Sequence, residues 1–233
     1  MGDQMKLYAI SDLHLSFGTD KPMNIFGKVW ENYEEKIKQN WELVVKPKDV
    51  VLIPGDISWG INLKEALPDF KFIDALPGEK LILRGNHDYY FATKTKLERF
   101  LKENQMNSIK VLHNNAYDVG KYIVCGARGW GRTEGNDVAL DKKIIAREEG
   151  RLRISLEEGK KIQQENHKEI LVALHFPPFV GNFESILQEY QVKKCIYGHL
   201  HGYGHMQVKE GIIGGIEYVM VGCDYTNFEL TEL

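Results

Sequence analysis

A mixed α/β sandwich in one domain is what this sequence predicts, on three observations. Six short apolar runs have the length and composition of strands, at residues 6–10, 50–53, 81–83, 122–126, 169–174 and 194–198. Helical patterns lie between several of them. The C-terminal portion reads as consecutive strands joined by glycine turns, so alternation comes first and strands last.

Each element has a local reason. Most of the runs are nearly continuous in apolar residues, as expected for strands covered on both faces. Trp30, Tyr33, Ile37, Trp41 and Val44 recur every three or four residues and mark a helix that buries one aromatic stripe. Leu97, Phe100 and Leu101, among charged neighbours, give a second helix with Thr93 as its N-cap. The longest helical pattern spans about 138–165 and contains Leu140, Ile144, Ile145, Leu152 and Leu156. Gly150 and Gly159 predict a break or kink within it. Residues 204–225 read as strands separated by glycines. With no proline-rich linker, low-complexity segment or repeat, the 233 residues fit a single domain, residues 1–233.

Composition excludes several classes. A content of 43% hydrophobic and 27% charged residues describes an ordinary globular chain, which disfavours disorder and membrane spanning. A net charge of −3 offers no electrostatic drive for nonspecific nucleic-acid binding. Cys125, Cys195 and Cys223 are odd in number, widely spaced and set in apolar surroundings, the pattern of reduced core thiols. The first residues lack a basic start followed by an apolar signal region, and Lys6 spoils a myristoylation match after Gly2. The expected location is cytoplasmic.

The chemistry collects where strands end. The first run leads into Ser11-Asp12-Leu13-His14, the second into Asp56 and the third into Asn86-His87-Asp88. The fifth leads into His175 and the sixth into His199-Leu200-His201. Ligand sites of α/β sheets lie at the carboxyl ends of strands. Carboxylate oxygen, amide oxygen and imidazole nitrogen suit divalent Mn, Fe and Zn. The absence of cysteine from these positions argues against a structural thiolate zinc site. Asp12, His14, Asp56, Asn86, His175, His199 and His201 exceed one coordination shell and suffice for two if a carboxylate bridges.

Asp12-Leu13-His14, Gly55-Asp56, Gly85-Asn86-His87-Asp88, His175 and Gly198-His199-Leu200-His201 resemble, in order, the motifs of the calcineurin-like metallophosphoesterase superfamily. Their neighbourhoods are most similar to its uncharacterised bacterial phosphohydrolases. The resemblance implies an α/β/β/α sandwich of two facing mixed β-sheets flanked by helices. It implies that Asp12, His14 and His201 hold one metal, that Asn86, His175 and His199 hold the other, and that Asp56 bridges. His87 then matches the family's catalytic histidine that is not a ligand, with Asp88 supporting it. The implied activity is hydrolysis of phosphomono- or phosphodiesters by direct attack of a metal-bridging hydroxide, with two divalent ions (Mn, Fe or Zn) as cofactors. Two dications against the charges of Asp12 and Asp56 leave a centre suited to an anionic, small phosphoester substrate.

Outside the motifs, His113, His167 and His205 read as surface or structural residues. The glycine-rich segment 127–137 has two readings. It is either a connection whose Trp130 covers core, or a loop at the site mouth whose Arg128 or Arg132 contacts substrate phosphate. Two other functions compete with the phosphoesterase: a noncatalytic scaffold of the same fold, and a nuclease. Ligand completeness and His87 speak against the first, and the absence of a basic-aromatic stripe against the second.

Overall fold

The computed structural model describes residues 4–131 and 137–233. Eleven strands form in chain order: β1 (Leu7–Ala9), β2 (Val50–Ile53), β3 (Glu79–Ile82), β4 (Ile109–Val111), β5 (Tyr117–Val119), β6 (Tyr122–Ala127), β7 (Glu169–Leu174), β8 (Lys194–Tyr197), β9 (Gly211–Ile213), β10 (Ile216–Met220) and β11 (Thr231–Glu232). The helices are α1 (Tyr33–Val44), α2 (Leu63–Ala75), α3 (Lys94–Glu103), α4 (Val138–Asn166) and α5 (Phe183–Glu189). One sheet has the order β11-β1-β2-β3-β4 and the other β5-β6-β7-β8-β10-β9. Within the first, β1 to β4 are parallel and β11 is antiparallel. Within the second, β6, β7, β8 and β10 are parallel, with β5 and β9 antiparallel at the edges. Both sheets are therefore mixed. No described helix is long and apolar enough to cross a membrane.

The continuous apolar runs split by strand periodicity. Leu7 and Ala9 of β1 pack with Val124, Leu171, Ala173 and Ile196 of the opposite sheet. Their neighbours Tyr8 and Ile10 face the other way, into a cluster with Trp41 and Phe70 of α1 and α2. On the far side, Ile123, Cys125, Ile170 and Val172 pack with Leu152 and Leu156 of α4 and Phe183 of α5. Each central strand thus needs apolar residues on both faces, and each large side chain fully buried contributes about 1.5–3 kcal/mol. The result is the expected sandwich of two facing sheets between helices.

Several expectations need correction. α4 runs unbroken through both glycines. A Cβ on Gly159 would lie 2.3 Å from Sγ of Cys125, so this glycine serves close packing of helix on sheet. Leu140, expected on the apolar face of α4, is exposed. Trp30, Tyr33, Ile37 and Trp41 form the buried stripe, but Val44 is exposed because the helix ends there and the extended Val45 takes the buried place. The segment Gly202–Gln207, expected as strand, is a 3-10 helix, and β9 and β10 come after it. α2 and α5 are additions to the expected elements. Pro68 obscures the first, since it removes a backbone donor inside the helix, and the second has only seven residues. Thr93 does cap α3, accepting from the amide of Lys96.

Candidate metal centre

The turn after β1 is joined to its neighbours residue by residue. Ser11 bridges to Gly222 of the chain leaving β10, which ties the two sheets together at this end. The amides of Asp12 and His14 donate to the carbonyls of Gly55 and Asp56 at 3.0 and 2.9 Å, locking this turn against the one after β2. Asp88 holds the turn after β3, accepting from the amides of Gly85 (2.7 Å), Asp56 (2.9 Å) and Ile57 (2.9 Å). Its carboxylate therefore braces backbone. Asp12, His14, Asp56 and His199 all have left-handed backbone, with φ of 60°, 45°, 51° and 72°. Asp and His tolerate this region better than bulky residues, yet four such positions in one site require over-determined surroundings.

The motif glycines are spaces for carboxylates. A Cβ on Gly85 would lie 2.0 Å from Oδ1 of Asp56, and one on Gly198 would lie 2.2 Å from Oδ2 of Asp12. Each carboxylate also has one oxygen engaged. Oδ2 of Asp12 accepts from the amide of His199 at 3.0 Å and from Oγ of Ser11. Oδ1 of Asp56 accepts from the amide of His87 at 2.8 Å. The opposite oxygens, Oδ1 of Asp12 and Oδ2 of Asp56, are buried with no hydrogen-bond partner.

Those two oxygens meet the ring nitrogens of histidines. His175 directs Nδ1 to the carbonyl of Pro54 at 3.0 Å, so its donor proton is spent there. Its Nε2 then faces Oδ1 of Asn86 at 2.6 Å and Oδ2 of Asp56 at 3.4 Å, three acceptors converging. His201 directs Nδ1 to Oδ1 of Asp224 at 2.8 Å. Its Nε2 faces Oδ1 of Asp12 at 3.4 Å and Nε2 of His14 at 3.2 Å. Buried acceptors turned on one another are costly unless a proton or a cation stands among them. Among the described residues, two groups could hold an ion: Asp12, His14 and His201, and Asp56, His175 and His199, with ligand atoms within 4.8 Å of one another in each.

Electrostatics follow the same division. Burial lowers His175 to about 3 and His199 to about 4, so both present neutral imidazoles at neutral pH. Burial also pushes His14 well down. Burial acts downward on His201 too, but the carboxylates of Asp12 and Asp224 on either side of its ring raise it to about 10. Burial alone would raise Asp12, but the His201 contact and the charges of His175 and His14 hold it well below the carboxylate range. Asp56 is pushed well up by burial, then by Asp88 and Asp12. A divalent cation would relieve this crowding of buried carboxylates.

The seven strand-end residues expected as ligands thus come together. His87 lies beside them, its ring centroid 5.7 Å from that of His14 and 4.6 Å from that of Trp59. Arg128 sits at the end of β6, and its carbonyl accepts the amides of His175 and Phe176. Its guanidinium stacks over Trp130 and lies 3.3 Å from the buried Glu148. Arg132 lies outside the described residues. His113 is half-buried against Phe91, His167 ends α4 in left-handed backbone, and His205 lies 3.3 Å from Asp224. Sequence reasoning missed Asp224. Its signal was the same as the others, an acid just beyond an apolar run, here β10, but reading this region as hairpins hid it.

A two-sheet α/β sandwich carrying Asp, Asn and His at its strand ends fits a metal-dependent phosphoesterase. Residues 5–203 match the family described as calcineurin-like phosphoesterase, and the chain belongs to that family. An uncharacterized protein of Methanocaldococcus jannaschii is 34% identical over 88 residues, 36% of this chain. The match spans about half the length of that relative (48%). Two solved structures share the fold. A protein of unknown function from Aquifex aeolicus superposes with a TM-score of 0.53 at 17% identity, covering 98% of this chain and 96% of its own. A protein of Thermus thermophilus gives 0.57 at 11% identity, covering 99% of both chains.

Proposed function

We propose that this protein is a binuclear metal-dependent phosphoesterase acting on small phosphomono- or phosphodiesters. Asp12, His14 and His201 would hold one divalent ion and Asn86, His175 and His199 the other, with Asp56 placed to serve both. The observation that carries the reading is the position of Asp56 Oδ2, 3.8 Å from Nε2 of His14 and 3.4 Å from Nε2 of His175. It is a buried, unpartnered oxygen between two sets of acceptors.

When bound, divalent ions supply Lewis acidity toward phosphoryl oxygens and lower the pKa of water. The chain's own residues do the rest. Oδ2 of Asp12 and Oδ1 of Asp56 stay bound to backbone amides, so the other oxygens keep a constant direction. The Pro54 carbonyl and the Asp224 carboxylate hold His175 and His201 with Nε2 forward. His87 donates a proton or hydrogen bond to the leaving-group oxygen. Asp88 acts at a distance, by bracing the turn that carries His87 and the amide that precedes Asp56's side chain. Arg128 is proposed as a phosphate contact at the mouth, although Glu148 and Trp130 already engage its guanidinium; Arg132 is proposed in the same role.

The test is hydrolysis of an aryl phosphodiester by Mn-loaded protein, with metal content measured alongside. Turnover with two ions per chain is expected. Two bound ions without turnover across mono- and diesters would favour the noncatalytic scaffold, and preferential cleavage of DNA or RNA would favour the nuclease.

A further inference from the structure

We infer that Asp224 is a positioning residue that fixes the His201 tautomer and strengthens the Asp12–His14–His201 subsite. This rests on the binuclear reading above. Asp224 lies beyond β10 and matches none of the five motifs. It reaches the centre because the chain leaving β10 crosses to β1: the amide of Ser11 donates to Val221, and the amide of Cys223 donates to Ser11. The side chain is only 4% exposed. Its Oδ1 accepts from Nδ1 of His201 at 2.8 Å, and its Oδ2 accepts from the amide of Gly202 at 3.4 Å. Nε2 of His205 stands 3.3 Å from that second oxygen.

With Nδ1–H committed to Asp224, Nε2 of His201 is the nitrogen left to bind a cation, and it points at Oδ1 of Asp12. The matching histidine of the other subsite, His175, has a neutral carbonyl behind it, that of Pro54. A carboxylate behind an imidazole makes it a stronger ligand than a carbonyl does, and removing such a partner typically costs about 10–100-fold in metal affinity. The Asp12–His14–His201 subsite already has a charged Asp12 where the other has the neutral Asn86, and Asp224 adds to the tightness with which it binds its ion.

The experiment compares wild type, Asp224→Asn and Asp224→Ala by Mn²⁺ binding isotherms and by the ¹⁵N shift of Nδ1 of His201 in Zn²⁺-loaded protein. Wild type should bind two Mn²⁺ ions with separated affinities. Asp224→Asn, nearly isosteric but uncharged, should weaken the tighter site by about 10–100-fold and leave the weaker site in place. Asp224→Ala should also move the Nδ1 resonance, its hydrogen bond being gone. If wild type binds two ions and both variants keep wild-type affinities, the assignment to Asp224 is overturned even where melting temperature falls, since that change is structural alone. If wild type binds no pair of ions, the binuclear reading fails first, and the subsite inequality falls with it.

Discussion

The two halves of the candidate centre pair two histidines with one oxygen donor each, a carboxylate (Asp12) in one and an amide (Asn86) in the other, on different supports. Around Asp12, His14 and His201, the backing is aromatic and charged. His14 stacks on Trp59 at 4.9 Å and 25°, Trp30 meets it edge-on at 6.1 Å, and His201 leans on Asp224. Around Asn86, His175 and His199, the backing is neutral. His175 is wholly buried on the Pro54 carbonyl, and His199 lies 4.0 Å from the ring of Phe176. His201 keeps 32% side-chain exposure where His175 has none. The paired histidines alone therefore do not make equal sites. What stands behind each imidazole sets its basicity and its freedom to turn.

The strongest way to break this comparison is to remove the part common to both halves. Asp56→Asn keeps volume but loses the charge between the triads, so both ions should be lost together and turnover should fall by about 10²-fold or more. His14→Ala should strip mainly one. Metal analysis after gel filtration, with rates on an aryl diester, reads both; an identical one-site loss in the two variants would show that Asp56 is no bridge.

Next in size is a change that spares both halves. His87→Asn should retain two ions and lose roughly 10²–10⁴-fold with alkyl esters, and clearly less with nitrophenyl esters, whose leaving group needs no proton. Equal losses on the two substrate types would reduce His87 to a phosphate-binding group.

A smaller effect separates the halves by packing. Gly198→Ala drives a methyl onto Oγ of Ser11 (2.1 Å) and Oδ2 of Asp12 (2.2 Å), so it should destabilise the fold by about 1–3 kcal/mol and weaken the Asp12 half most, with a smaller effect through the adjacent His199. Gly85→Ala presses on Asp56 and should weaken both. Urea denaturation and metal isotherms for the pair give the contrast.

The smallest effect is a control away from the centre. His113, like His199, is held near 4, by burial first and then by Arg151, Lys94 and Arg84. Its folded value is below the unfolded value of about 6.5, so the unfolded chain binds the extra proton first. Its contribution is thus complete above about pH 6.5 and is lost as pH falls toward about 4. His113→Gln should remove up to about 2 kcal/mol of that pH dependence, after allowance for the solvent reaching the ring. The loss should be the same in chelator and in Mn²⁺. A metal-dependent loss would tie His113 to the centre.

Much of the site was legible because it is written next to the strands. Asp12, Asp56, Asn86, His175 and His199 each come within a few residues of the end of an apolar run, and a parallel strand delivers its next residues to one edge of the sheet. α3 was legible through Thr93, a capping bond three residues long. Arg128 was less so. Its reading as a loop cation depended on sequence neighbours, whereas Glu148, twenty residues further on, takes its guanidinium from the side of α4.

By itself, then, the sequence determined the central strands, that both their faces are covered, and which ligand types stand at their ends, since these depend on residues within a turn or a strand of one another; the edge strands β4, β5 and β11 were not legible in it. Only tertiary structure decided how those ligands are used. His14 meets His201 across 187 residues, and His175 meets Asn86 across 89. Which oxygen of Asp12 or Asp56 stays without a partner depends on amides of other strand ends. That His201 leans on a carboxylate while His175 leans on a carbonyl results from the crossing of β10 to β1. Such pairings are set by strand order and by how one sheet packs on the other, which join residues far apart in the chain.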